Sequence, residues 1–191
     1  PVQKKITTNA GSYVAKAQFL SANKFISPMI DTGRNSVITI ENIVNNISTN
    51  ETNNSGGDAT ARYLTRRVNL KDGFDATSLS AYMTVNRQAG TSISVYYKVL
   101  SQFDETTFDD RPWQLMKEKS NSNAVSSSDQ VNEYLELEYV PDNNAESTDY
   151  IDVGTNVTYD SFKTFAIKIV MNSASTTKVP LIKDLRCIAL A

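Results

Sequence analysis

The sequence has no histidine and only one cysteine, and both shortages exclude chemistry. None of the 191 residues is His, and the single Cys is Cys187. Without histidine the chain lacks the commonest general base, the imidazole of Ser-His-Asp and Cys-His sites, and the usual zinc ligand sets. One cysteine cannot form an intrachain disulfide, and the apolar segment around Cys187 predicts a buried thiol.

The sequence also has little excess of charge of one sign and no long apolar run. The net charge is −2, and the densest basic cluster is Arg62, Arg66 and Arg67, which is too small to form a nucleic-acid-binding face. No apolar run approaches the ~20 residues that span a bilayer, so we predict neither a nucleic-acid partner nor membrane insertion. The first residues do not lead into a hydrophobic stretch, and we expect no signal peptide.

The residues that are present favour a globular β protein. Hydrophobic residues make up 40 % of the chain and charged residues 21 %, which is typical of a folded domain. Residues 91–100 give the clearest local pattern, because Ile93, Val95 and Val99 alternate with Ser94 and Lys98. This period of two is typical of a half-buried antiparallel strand.

Similar short runs recur along the chain with turn residues between them. We predict about eight to ten strands and no long helix, which indicates an all-β antiparallel β-sandwich. The runs 79–85 and 91–100 are predicted to pair as a hairpin, and the last strand, 179–190, to kink near Asp184. The predicted organisation is a lead-in segment, residues 1–24, followed by one sandwich domain, residues 25–191. The further strands are predicted at 13–20, 37–47, 62–70, 113–117, 135–139 and 165–171, with a short helix at 41–47 as the alternative to the second of them.

Four side chains are the candidates for contact with a ligand or another subunit: Trp113, Tyr96, Tyr82 and Arg111. Aromatic faces suit the apolar faces of sugars, so these three rings and that of Tyr63 are candidates for a sugar-stacking platform. The alternative is that the rings fill the second face of the sandwich or a subunit interface. The run Arg111-Pro112-Trp113 is then expected to close one end of the core.

Carboxylates offer two further kinds of site. Clustered oxygen ligands suit Ca²⁺, and two acidic groups qualify although neither has EF-hand spacing: Asp104, Glu105, Asp109 and Asp110, and Asp142, Asp149 and Asp152. A pair drawn from Glu133, Glu136 and Glu138 would suffice for a glycosidase. Because Glu136 and Glu138 share one strand face, we interpret them as solvated. We therefore predict no catalytic residues, no enzyme and no cofactor, with Ca²⁺ as the open alternative.

Four ordered segments of the chain together carry a resemblance. They are 26–31; 61–68 with Leu70 and 72–76; 90–99 with Trp113; and 165–170 with 179–180 and 183–190. This set resembles the C-terminal module of large virion structural proteins of tailed bacteriophages, notably T4-like phages of cyanobacteria, and covers about residues 25–190. The opening Ser27-Pro28-x-Ile30-Asp31, the strand from Gly90-Thr91 and the closing strand after Pro180 also resemble galactose-binding-like jelly rolls.

The resemblance implies a role without catalysis. It implies a structural component of a phage tail, baseplate or fibre-attachment region, assembled in the bacterial cytoplasm and located in the virion. The expected partners are other virion proteins and further copies of the chain, arranged as a trimer or a ring. The alternative is a carbohydrate-binding module that contacts a host surface polysaccharide through Trp113 and the loops at 102–112 and 141–150.

Overall fold

The chain divides into two compact units in the computed structural model. The units are Pro1–Glu41 and Asn42–Ala191, whereas the sequence predicts a boundary at residue 25, which stays a prediction. Of the strands predicted at 13–20 and 37–47, residues 13–15, 17, 37–43 and 45 lie outside the described residues. The described positions 16, 18–20, 44, 46 and 47 do not belong to a strand. The structure describes residues 16, 18–30, 44, 46–119, 124–127, 133–141, 147–152, 154–175 and 177–191.

In its described residues the second unit contains eleven strands and a short 3-10 helix, Phe108–Asp110. The strands are β1 (Ala61–Leu64), β2 (Val68–Asn69), β3 (Ser78–Asn86), β4 (Thr91–Leu100), β5 (Gln114–Leu115), β6 (Lys117–Glu118), β7 (Leu135–Val140), β8 (Tyr150–Ile151), β9 (Thr158–Tyr159), β10 (Thr164–Ser173) and β11 (Leu181–Leu190). The strand predicted at 62–70 is divided into β1 and β2. The one predicted at 113–117 is divided into β5 and β6.

Two antiparallel sheets carry most of these strands. The first sheet has the order β1-β10-β4-β5, with β2 also paired to β10, and the second has the order β11-β3-β7-β6. A separate two-stranded ribbon joins β8 and β9. The prediction of an all-β antiparallel sandwich is confirmed, while the jelly-roll topology stays a prediction.

The main core lies between the two sheets. β4 and β10 contribute period-two rows that include Val95, Val99 and Ile167, and β3 contributes Leu79 and Met83 from the second sheet. All five side chains are buried, four of them to 0 % exposure. Burying one such side chain contributes about 1.5–3 kcal/mol, so these rows provide much of the driving force for sheet packing.

The predicted hairpin between β3 and β4 is wrong. β3 pairs with β11 and β7, and β4 pairs with β10 and β5, so the connection 87–90 crosses from one sheet to the other. Thr91 N–H donates to Gln88 O at 2.9 Å, which closes the turn. Both strands carry a row of apolar side chains. Because the connection places the strands in opposite sheets, the two rows pack against each other across the core, whereas in a hairpin they would lie next to each other in one sheet.

The kink predicted in the last strand is confirmed as a β-bulge. The register of β11 against β3 shifts between Lys183 and Arg186, and Asp184 has φ +56°. Cys187, predicted to be buried, is only partly buried because β11 is the last strand of its sheet. Burial nevertheless raises the pKa of its thiol to about 11.

Candidate functional site

Trp113 lies under a loop on the outer face of the first sheet. The loop 49–59, here called the cover loop, is held to the sheet where Trp113 N–H donates to Thr52 O at 2.9 Å. Trp113 and Tyr96 belong to a second apolar cluster with Phe108 and Val170, and the two rings are 5 % and 8 % exposed. The structure therefore brings these two predicted residues together, in a covered position that leaves no open stacking platform.

A buried ion pair lies beneath the cover loop. Lys168 projects from the middle of β10, and its Nζ is 3.0 Å from Glu51 Oε2. The two side chains are 0 % and 2 % exposed, and Ala59 N–H donates to Glu51 Oε1 at 2.8 Å. Desolvation lowers the pKa of Lys168, although the hydrogen bond and charge of Glu51 act against this shift.

Lys98 is a second buried lysine on the same sheet face. It is 3 % exposed, and its Nζ donates to Asn54 O at 3.2 Å and to Asp109 O at 3.3 Å. The ammonium also lies 4.9 Å from the centre of the Trp113 ring, within range for a cation–π contact. Burial lowers its pKa, the charge of Asp109 acting in the opposite direction.

An open cleft of about 290 Å³ exposes part of this arrangement to solvent. Arg67 lies at its edge, with its guanidinium 4.5 Å from the Phe108 ring centre and 2.9 Å from Asp109 Oδ1. The residues that line the cleft are Asn54, Ser55, Gly56, Leu64, Thr65, Arg67, Lys98, Phe108, Asp109, Trp113 and Ala166. Cationic, polar and aromatic residues thus line one cleft.

Arg111 is buried in a different cluster, at one end of the sandwich. Its guanidinium lies 4.0 Å from the centre of the Tyr150 ring, and Nη1 is 3.6 Å from Asp104 Oδ2. Tyr150 O–H donates to the same carboxylate oxygen at 2.9 Å. Burial opposes ionisation of Asp104, but hydrogen bonds from Thr106 and Tyr150 keep its pKa below the usual range. The expected closure of the core end by Arg111-Pro112-Trp113 stays a prediction, and Trp113 packs in the second apolar cluster instead of the main core.

Tyr82 is separated from the other three candidates because it lies on the outer face of the second sheet. Its hydroxyl donates to Glu138 Oε1 at 2.8 Å, and Lys119 Nζ is 2.9 Å from the same oxygen. Arg186 pairs with the exposed Glu136 across the neighbouring strand. These carboxylates occupy a solvated, ion-paired strand face, as the sequence predicts, and they do not face each other across a groove.

The acidic loops have partners of their own. Asp109 pairs with Arg67, and Asp152 accepts from Thr155 Oγ1 at 2.7 Å and Gly154 N at 3.0 Å; Asp142 lies outside the described residues. In the part of the chain that the structure describes, no group of three or more Cys, Asp and Glu is arranged to hold a metal ion. The same residues include no helix long and apolar enough to cross a membrane.

Glu51, Lys98 and Lys168 are not among the site residues that the sequence predicts. The alternation in β4 places Lys98 on the polar side of its strand, and Glu51 belongs to a polar loop with no strand pattern. The signal that the sequence does contain is in β10, where Ala166 and Val170 flank Lys168 on the face that points away from the main core. Apolar residues on both faces of a strand indicate that both faces are covered.

Comparison of the chain with protein-family models, with curated protein sequences and with solved structures gave no significant match.

Proposed function

We propose that this chain is a non-enzymatic structural module of a bacteriophage virion that acts by assembling with other protein chains. The observation that carries the proposal is the open edge of the second sheet at β11. This strand has ten residues, Leu181–Leu190, and among the described residues its only partner strand is β3. An edge strand presents unpaired backbone N–H and C=O groups, which another strand can satisfy.

The core is also incompletely covered along this edge. Leu185, Cys187 and Ala189 pack against the main core but stay partly exposed. On the other strand face Ile188 and Leu190 are 44 % and 53 % exposed. A second chain that adds a strand here would gain backbone hydrogen bonds and bury apolar surface at the same time.

The bulge at Asp184 restricts where such pairing can occur. Bulges and charged side chains are the devices by which natural edge strands avoid unspecific pairing. In β11 the bulge and Lys183 occupy the first part of the strand, and the regular stretch Arg186–Leu190 follows. We therefore assign the contact to residues 186–190.

Burial of Trp113 favours this assembly role over the sugar-platform alternative. A stacking platform requires an exposed ring face, whereas Trp113 is 5 % exposed and Tyr96 is 8 % exposed. The resemblance to phage virion modules supports placing the assembly in a tail, baseplate or fibre-attachment region.

The test is the mass of the full chain in solution, measured by light scattering after size-exclusion chromatography. We expect a mass above the 21.1 kDa of one chain, with three copies or a ring as the expected states. Ile188→Lys should shift the population to monomer, since it places a charge on the contact strand. Leu115→Lys is the matched control, because Leu115 is 48 % exposed and lies in β5 of the other sheet. A monomer at every concentration tested would exclude self-assembly.

A further inference from the structure

The cleft between the cover loop and the 3-10 helix has an unbalanced charge. Lys98 and Arg67 are the cations that line it, and Asp109 is the carboxylate. The Asp109 side chain is 84 % exposed and already paired with Arg67. The two acceptors of the Lys98 ammonium are backbone carbonyls, and no described carboxylate forms an ion pair with it.

A buried cation without an ionic partner is costly, and an anion in the cleft would offset that cost. The neighbouring Lys168 differs in this respect because Glu51 neutralises it directly. The two lysines come from adjacent strands of one sheet face, where Ala166 pairs with Lys98 and Lys168 pairs with Tyr96. Lys168 thus has a direct ion-pair partner, whereas the charges of Asp109 and Asp110 act on the Lys98 ammonium without forming an ion pair with it. Lys98 is the lysine that lines the cleft.

The rest of the lining indicates what the anion is attached to. The polar residues Asn54, Ser55 and Thr65 and the aromatic residues Phe108 and Trp113 line the cleft. Thr65 Oγ1 already accepts from Ile167 N–H at 2.9 Å, so its hydroxyl proton is the group left for a ligand. A volume of about 290 Å³ is at the small end for ligand sites, which suits a single sugar ring. These polar residues together with two cations match a ligand that carries both hydroxyls and a carboxylate.

We propose that this cleft binds a sugar acid, with the ligand carboxylate held between Lys98 and Arg67. The ligand hydroxyls face Asn54, Ser55 and Thr65. Recognition is ionic and does not require an exposed ring face of Trp113. This site is independent of the β11 edge, so its failure would leave the assembly proposal unaffected.

The test uses Trp113 as the reporter, because it is the only tryptophan in the chain. The fluorescence of the full-length chain is titrated with D-glucuronate, with D-glucose, and with acetate at equal ionic strength. We expect a saturable change with glucuronate, none with glucose, and a much weaker change with acetate. An equal response to acetate would overturn the sugar assignment, and no response to glucuronate would overturn the site.

Two variants connect the signal to the cleft. Arg67→Gln changes a half-exposed side chain, and losing one charge-assisted hydrogen bond should weaken glucuronate binding about tenfold or more. Lys98→Met removes the buried ammonium and should abolish the response, provided that circular dichroism shows a folded chain. Lys183→Gln is the control on the second sheet and should bind like the parent. If Arg67→Gln also binds like the parent, the proposal is wrong.

Discussion

Glu51 and Lys168 form an ion pair that joins a loop to the central strand of the first sheet. The residues are 117 positions apart in sequence, their charged atoms are 3.0 Å apart, and both side chains are almost completely shielded from solvent. Lys168 also lies 4.8 Å from the centre of the Tyr96 ring and 5.1 Å from that of Trp113. The ion pair therefore fixes the cover loop over the residues that define the candidate site.

We expect Glu51→Gln to destabilise the protein by about 3–5 kcal/mol, because it leaves the Lys168 ammonium buried without a counter-charge. The measurement is the free energy of unfolding from urea titration at neutral pH. Trp113 fluorescence should report the same transition, since the cover loop lies over this ring.

The double variant Glu51→Leu, Lys168→Met tests whether the unpaired charge causes the loss of stability in Glu51→Gln. Replacing both charged side chains with apolar ones removes the desolvation cost together with the attraction, so most of the stability lost in Glu51→Gln should return. Asp109→Asn, which breaks the exposed pair with Arg67, should have little effect. If Glu51→Gln is as mild as Asp109→Asn, the ion pair does not hold the loop.

Gly57→Ala should also destabilise the protein, by about 1–3 kcal/mol. A Cβ added at Gly57 would overlap the Glu51 carboxylate, which the surrounding groups hold in place. The matched control is Gly154→Ala, where the nearest atom to the new Cβ would be Asp152 Oδ1 at 3.6 Å. Thermal unfolding of the two variants under identical conditions is the measurement. Equal melting temperatures would contradict the close packing of Gly57 against Glu51.

The inner faces of the sandwich could be predicted from sequence because each strand reports its own burial. In β4, β10 and β7 apolar residues recur at every second position. In β11 this alternation shifts near Asp184, which indicates the bulge without any knowledge of the partner strand. Which strands pair is a different kind of information. The rows of β3 and β4 are equally compatible with a hairpin and with a crossing between sheets, and only the packing of the whole core selects the second.

The candidate site was harder to predict because it depends on a loop. Trp113 and Tyr96 could be selected as aromatic residues outside the main apolar rows. The alternation in β4 places Lys98 on the outer face of the sheet, where lysines are usually solvated. Lys98 is buried because the cover loop lies over it, and the sequence of a loop has no hydrophobic periodicity from which this burial could be predicted. Long-range pairs such as Glu51 and Lys168 cannot be found from local patterns.

Tyr139→Phe should leave stability unchanged or raise it by up to about 1 kcal/mol at neutral pH. The Tyr139 hydroxyl is buried and has no hydrogen-bond partner among the described residues, so removing it relieves a desolvation cost. Tyr97→Phe is the control, because Tyr97 O–H donates to Gln114 Oε1 at 2.7 Å. That variant should lose about 0.5–1.5 kcal/mol in urea unfolding. A marked loss with Tyr139→Phe would indicate a partner for this hydroxyl.

The same tyrosine predicts a dependence of stability on alkaline pH. Burial, with the charge of Glu118 adding to it, raises the pKa of Tyr139 from 10.0 to about 12. Because the unfolded chain releases this proton first, the associated stability is complete below pH 10 and is lost as the pH rises toward 12. The free energy of unfolding of the Tyr139→Phe variant should therefore fall less steeply between pH 10 and 12 than that of the parent. Parallel pH curves would show that this phenol makes no contribution.

The β-bulge in β11 depends on the backbone conformation of Asp184. Asp184 has φ +56°, a left-handed conformation that costs most L residues roughly 1–2 kcal/mol and that Asp and Gly tolerate better. Asp184→Ala should lower the free energy of unfolding by about 1 kcal/mol, and Asp184→Gly should lower it less, because glycine has no Cβ to oppose this conformation. Urea titration of both variants is the measurement. If Ala is tolerated as well as Gly, the bulge relaxes to regular pairing, and the edge of β11 would then be open over its full length instead of only at residues 186–190.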